Sequence, residues 1–190
     1  MQKIKKLYVD SLKEIKLTHN IVLCGLMGAL AIVLNYTTSI FITDYIRIGF
    51  SGIPNRVIDY LLGPGVGAIF GGVMDILKYF TKPAGGSFFP GYTLSAILGG
   101  LIYGSILYNK PVKVWRVLLA EFLAKVFVNC GLNTLWLKIM YGSAFMAILP
   151  TRALKNLIML PIDSAILFFV LTFVSKLVTL PEFSRFGRGK

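Results

Sequence analysis

Five polar side chains recur along one apolar stretch: Glu121, Lys125, Asn129, Asn133 and Trp136. Their spacings of 4, 4, 4 and 3 keep them near a single helix face. Glu121 and Lys125 are placed for an i,i+4 ion pair. Asn129, Asn133 and Trp136 admit two readings, hydrogen bonding between helices or the lining of a ligand cavity. A second stretch repeats the pattern with Arg152, Asn156 and Asp163, with Lys155 alongside, and a third places Asp75, Lys78 and Lys82 on one face. Lys82, Asn133, Trp136, Arg152 and Asn156 are expected to converge at one end of the molecule. Cations and amides outnumber carboxylates there, which suits an anionic ligand with hydrogen-bonding edges. Beside them runs a loop from Lys82 to Tyr92, bent by Pro83, Gly85, Gly86, Pro90 and Gly91. Its Phe88, Phe89 and Tyr92 offer flat faces to an aromatic ligand, or alternatively form an interfacial aromatic belt.

The elements that must hold these residues are membrane helices. The chain has 190 residues, of which 56% are hydrophobic and 15% charged, with a mean hydropathy of +0.74. Soluble domains carry about 25% charged residues, so the surplus apolar surface calls for lipid. Residues 17–43 contain no Asp, Glu, Lys or Arg, enough for a span. Six spans are expected, at about 18–41, 48–62, 66–81, 93–108, 116–140 and 153–179. The tight turn Gly63-Pro64-Gly65 separates the second from the third. The fold class is therefore an all-α integral membrane bundle in one domain, residues 1–190. Within a bilayer each charge in a span costs about 2.5–3.5 kcal/mol unless it pairs or lines a cavity, which sharpens the interest of the polar stripes. Small residues form a second theme: Gly25, Gly28 and Ala29, then Gly67 and Gly71, then Ala96, Gly100 and Gly104. Such faces let helices approach closely.

The net charge of +12, from 20 Lys and Arg against 8 Asp and Glu, suggests nucleic acid in a soluble protein. In a membrane chain it reports topology instead. With an even number of spans both termini share a side. Twelve of the cations then fall on that side: five lysines before residue 17, Lys110, Lys113 and Arg116, and Lys176, Arg185, Arg188 and Lys190. Three, Arg47, Lys82 and Arg152, fall on the other. The termini are expected in the cytoplasm, as in a multi-pass cell-membrane protein, with lipid rather than nucleic acid as surroundings. Cys24 and Cys130 lie in apolar stretches and read as small hydrophobes. His19 is alone, without a metal motif. No Walker A motif occurs, so any ATP-driven work needs a partner. No nucleophile–base set or metal set supports an enzyme, and no cofactor is implied.

The stretch Ile53-Pro54-Asn55-Arg56, through Leu62-Gly63-Pro64-Gly65-Val66-Gly67, to Gly71-Gly72-Val73-Met74-Asp75 resembles the core of the substrate-binding S components of energy-coupling factor (ECF) vitamin transporters. The loop Lys82 to Leu94 and the run Arg152 to Ile162 are similar to the folate-specific branch. The resemblance covers nearly the whole chain. It implies a six-helix S component with cytoplasmic termini, high-affinity capture of folate from outside, and delivery by toppling on a T subunit driven by two ABC ATPase subunits. It implies ligand contacts among Lys82, Gly86, Phe88, Phe89, Pro90, Tyr92, Asn133, Trp136, Arg152 and Asn156. It also implies a T-subunit contact at Gly25, Gly28 and Ala29, where the family often shows Ala-x-x-x-Ala and this chain has Gly25-x-x-x-Ala29. Another vitamin (riboflavin, biotin or thiamin) is the alternative ligand, although a cationic site suits thiamin poorly. A ligand-free assembly subunit is the alternative role.

Overall fold

The structure is a computed structural model that describes residues 2–38, 40–43, 46–81, 88–142 and 145–179. Seven α-helices follow in order among these residues: α1 (Gln2–Glu14), α2 (Thr18–Thr38), α3 (Ile53–Thr81), α4 (Pro90–Leu107), α5 (Val114–Leu123), α6 (Asn133–Tyr141) and α7 (Phe145–Thr179). A π-helical stretch, Ala124–Leu132, joins α5 to α6 without interruption. Between α2 and α3 lie two short antiparallel strands, β1 (Ile40–Thr43) and β2 (Ile46–Ile48), paired Ile40 to Ile48 and Phe41 to Arg47. Among the described residues five helical stretches are long and apolar enough to cross a membrane: Thr18–Thr38, Ile53–Thr81, Pro90–Leu107, Val114–Met140 and Arg152–Thr179.

The stretch Ile53–Thr81 supplies two segments rather than one. Gly63 sits at φ +87°, ψ −174°, a backbone conformation that breaks the helix and that glycine tolerates best. Pro64 follows at the first position of the second half, where its missing N–H costs nothing. The chain reverses there. Lys78 Nζ reaches the carbonyl of Ser51 at 2.7 Å, 27 residues back, and Gly67 lies against Asp59. The first half, Ile53 to Leu62, rises only about 15 Å, too short for a hydrocarbon core of about 30 Å. It is buried inside protein, so the irregular backbone just before it needs no lipid contact.

The core gathers on this helical hairpin. Val57, Ile58, Leu62, Val66, Phe70 and Met74 pack with Tyr103 and Leu107 of α4, Val117 and Ala120 of α5, and Leu167 and Leu171 of α7. The two small-residue stripes expected on the third and fourth spans meet each other. A Cβ on Gly100 would lie 2.5 Å from the Gly67 carbonyl oxygen, and one on Gly104 would lie 2.5 Å from Pro64 Cα. Backbone therefore touches backbone between α3 and α4. The outer face of α7 is left for lipid, with Phe169 at 75% exposure.

Several boundaries differ from the sequence reading. The first span stops at Thr38, where the strand pair begins. The last helix starts at Phe145, about two turns before Arg152, and carries Pro150 and Pro161 internally. The lysine-bearing N-terminal segment, read only as a topology signal, forms helix α1 and packs on the α3 break. Its amphipathic pattern is visible in the sequence once a helix is drawn there. Gly28 is also placed differently from its neighbours. It is buried against Met74 Sδ and Phe70, while Gly25 and Ala29 are exposed. Gly28 thus serves packing inside the chain, and only Gly25 and Ala29 remain on an outward face.

Candidate functional site

The polar stripe of the fifth span comes together through its π-helical stretch. In an α-helix, residues four apart drift by about 40° per step, so three steps from Glu121 would carry Asn133 well round the helix. The wider i→i+5 turns between Ala124 and Leu132 reduce that drift. Glu121, Lys125 and Asn129 consequently face the same cavity, which measures about 280 Å³. Its other walls are Gly49, Phe50 and Gly52 ahead of α3, Ile53 and Arg56 of α3, Tyr103 of α4, and Lys155, Asn156, Met159 and Asp163 of α7.

Part of this cavity's lining is an ion network. Lys125 Nζ lies 2.5 Å from Asp163 Oδ2 and 3.8 Å from Glu121 Oε2. The i,i+4 pair read from the sequence is therefore the looser contact, and the partner on α7 is the tighter one. Arg56 pairs with Asp59 one turn on, at 2.9 Å, and its guanidinium sits 3.7 Å from the centre of the Tyr103 ring. A desolvated cation over an aromatic face gains electrostatically from the ring quadrupole. Arg56, Lys125 and Lys155 stand against Glu121 and Asp163 around the space. The buried charges thus largely neutralise one another, as burial requires.

Most of the expected ligand residues stand beside this cavity, and of those described only Asn156 lines it. Asn129 connects the cavity to this neighbouring group: its side-chain oxygen accepts from Asn133 Nδ2 at 3.3 Å, and its backbone carbonyl accepts from an Arg152 guanidinium nitrogen at 3.4 Å. Asn156 lines the cavity and donates to Cys130 Sγ at 3.1 Å. Trp136 donates its indole N–H to Ser95 Oγ at 3.0 Å. The Phe89 ring packs 5.6 Å from Trp136 and 6.2 Å from Tyr92, centre to centre. Gly91 makes this possible, because a Cβ there would come within 2.6 Å of the indole. Asn133 Oδ1 is buried with no hydrogen-bond partner among the described residues. A buried acceptor left open in this way costs free energy and is ready for a donor.

Phe89, Tyr92, Asn133, Trp136, Arg152 and Asn156 are thus brought together. Phe88 is not: its ring packs on Tyr79, 5.2 Å away. Pro90 is exposed at the start of α4. Lys82 and Gly86 lie outside the described residues. Asp75 and Lys78 serve as ties rather than walls, Asp75 accepting from Thr93 Oγ1 at 2.9 Å and Lys78 holding Ser51. Sequence reasoning passed over Ser95 and Tyr103, which stand on a charge-free helix with nothing to mark them. It noted Asn129 only as part of the stripe. Among the described residues no group of three or more His, Cys, Asp or Glu is placed to hold a metal, and both cysteines are free.

Comparison with known proteins gives this arrangement a context. Residues 19–171 match the family model described as ECF transporter, substrate-specific component. The folate transporter FolT of Clostridium novyi is 39% identical over 146 residues, covering 77% of this chain and 84% of that protein. The folate transporter FolT of Leuconostoc mesenteroides is 34% identical over 162 residues, covering 81% of this chain and 85% of that one. A crystal structure of FolT bound with folic acid superposes with a TM-score of 0.74 at 34% identity, covering 80% of this chain and 92% of that one. With its apolar spans and buried polar cavity, this chain is a multi-pass plasma-membrane protein, a transport component and not an enzyme, and it belongs to the family of ECF transporter substrate-specific components.

Proposed function

We propose that this chain is a folate-binding S component, a single transmembrane substrate-binding domain with both termini in the cytoplasm. The carrying observation is the likeness to FolT over most of both chains, including a structure with folic acid bound. The cavity supports the same reading. Folate carries a pteridine, an aminobenzoyl ring and a glutamate with two carboxylates. Phe89, Tyr92 and Trp136 provide stacking faces. The open Asn133 Oδ1 would accept from a pteridine N–H, with Asn156 beside it. Arg152 would pair with a carboxylate, helped by Lys155 on the same helix and by Lys82. Gly86, Phe88 and Pro90 belong to this reading only through the likeness of the loop from Lys82 to Leu94 to the folate-specific branch.

Delivery follows the S-component pattern. Folate is captured outside, and the domain topples against the T subunit, with two ABC ATPases hydrolysing ATP. The exposed Gly25 and Ala29 on α2 fit the T-subunit contact, since a small-residue face allows close helix approach. The twelve cations on the cytoplasmic side support the orientation.

The test is a folate titration of the purified Trp115→Phe variant, which leaves Trp136 as its only tryptophan. Saturable quenching below micromolar folate is expected, with Arg152→Ala and Asn133→Leu weakening it. Absence of saturable binding below micromolar rejects the folate reading. Displacement by riboflavin, biotin or thiamin instead would reassign the ligand.

A further inference from the structure

Helix α1 lies ahead of the family match, which begins at residue 19. Its two faces differ sharply. One is fixed to the bundle: Ser11 is fully buried, and its hydroxyl donates to the Leu62 carbonyl at 2.6 Å while accepting from the N–H groups of Gly65 and Val66 at 3.0 and 3.2 Å. Tyr8 meets Ser105 at 3.0 Å, and Asn20 donates to Glu14 at 2.8 Å. The other face is more open. Val9 is 51% exposed, and Leu12, whose inner edge lies against Gly65, is 46% exposed. Lys13 is exposed too, its ammonium 3.7 Å from the carboxylate of Asp10. Ile15 and Leu17 continue the exposed apolar line, and the span α2 starts at Thr18.

A helix fastened to the bundle a few residues before a span lies at the membrane boundary. An exposed apolar edge beside cations is what a helix in the interfacial plane presents. The segment carries Lys3, Lys5, Lys6, Lys13 and Lys16 against Asp10 and Glu14, and Glu14 is buried. We propose that α1 is a docking helix for the anionic phospholipid headgroups of the leaflet it lies on, with Lys13 and the following Lys16 on the headgroups and Val9 and Leu12 at the acyl boundary. Charge complementarity and the continuity of α1 with the span both favour lipid as the occupant. Because Ser11 is bonded to both sides of the Gly63 break, a lipid-held α1 also braces the turn of the helical hairpin.

The test uses the full chain with Cys24→Ala, Cys130→Ser and Val9→Cys, labelled at residue 9 with an environment-sensitive fluorophore. Nanodiscs of phosphatidylcholine are compared with nanodiscs of phosphatidylcholine and phosphatidylglycerol. A blue-shifted emission is expected in the anionic discs, reversed by high salt. Replacing Lys5, Lys6, Lys13 and Lys16 by Gln should weaken docking by about two to three orders of magnitude and remove the difference. Identical emission in the two lipids overturns the proposal without recourse to any charge variant. So does a lipid difference that survives the four substitutions. A blue shift in detergent that grows with protein concentration would assign the face to a second copy and overturn it as well.

Discussion

Replacing Ser11 with alanine removes one oxygen and strands three backbone groups. The hydroxyl donates to the Leu62 carbonyl and accepts from the Gly65 and Val66 N–H groups, all buried, at 2.6, 3.0 and 3.2 Å. It thus caps the end of one half of α3 and the start of the other. Losing a helix cap costs about 0.5–2 kcal/mol, and each buried polar group left unpaired costs about 1–3 kcal/mol. The turn can relax by small shifts, so the low end applies, and Ser11→Ala should lose about 3 kcal/mol. For a chain of this size each kcal/mol moves the melting point by about 2–4 °C, which gives a fall of about 6–12 °C. The assay is thermal unfolding of the detergent-solubilised chain followed by tryptophan emission. Lys13→Ala, two residues on and largely exposed, should stay within about 0.5 kcal/mol of the parent. If Ser11→Ala melts within about 2 °C of the parent, the hydroxyl does not hold the break and the reasoning fails.

Three further outcomes are expected. Lys125→Met leaves Glu121 and Asp163 facing each other without their shared cation and should cost about 3–5 kcal/mol. The double variant Lys125→Met with Asp163→Asn should recover part of that in the same melting assay, and absence of recovery would argue against the cross-helix pair. Gly100→Ala pushes a methyl to 2.5 Å from the Gly67 carbonyl, so α3 and α4 must separate. A loss of about 1–3 kcal/mol or more follows, whereas a parent-like melting curve would contradict the close approach. Ser95→Ala deprives the Trp136 indole of its acceptor and should shift Trp136 emission in the Trp115→Phe background while weakening folate quenching. Unchanged emission would show that Ser95 does not orient the indole.

Much of the fold was legible because hydropathy and turn chemistry are local. The charge-free run 17–43 demands a span by length alone. Gly63-Pro64-Gly65 demands a break, and the structure places Gly63 at φ +87° there. The small-residue stripes at Gly67 and Gly71 and at Ala96, Gly100 and Gly104 were readable as close-contact faces, though not as each other's partners. The polar stripe was readable too, although its α-helical spacing hid the π-helical turns that straighten it. A π-stretch leaves no residue-type signature, since it depends on which carbonyl each N–H finds.

Partner choice lay beyond the chain read in one dimension. Sequence spacing offers Lys125 only Glu121, its neighbour on the same helix. The rotation of α7 brings Asp163 to 2.5 Å and makes it the tighter partner. Ser95, Tyr103 and Ser11 are ordinary residues until packing sets them opposite an indole, a guanidinium and a broken helix. Gly25, Gly28 and Ala29 look alike in sequence, yet the packing of α2 on α3 buries Gly28 and leaves the other two outside. Composition and periodicity determined that this is a membrane bundle with polar groups to shelter, because burial energetics act on every residue by type. Only the tertiary structure decided which groups shelter one another and where the cavity opens, because that depends on the angle at which each helix presents its face.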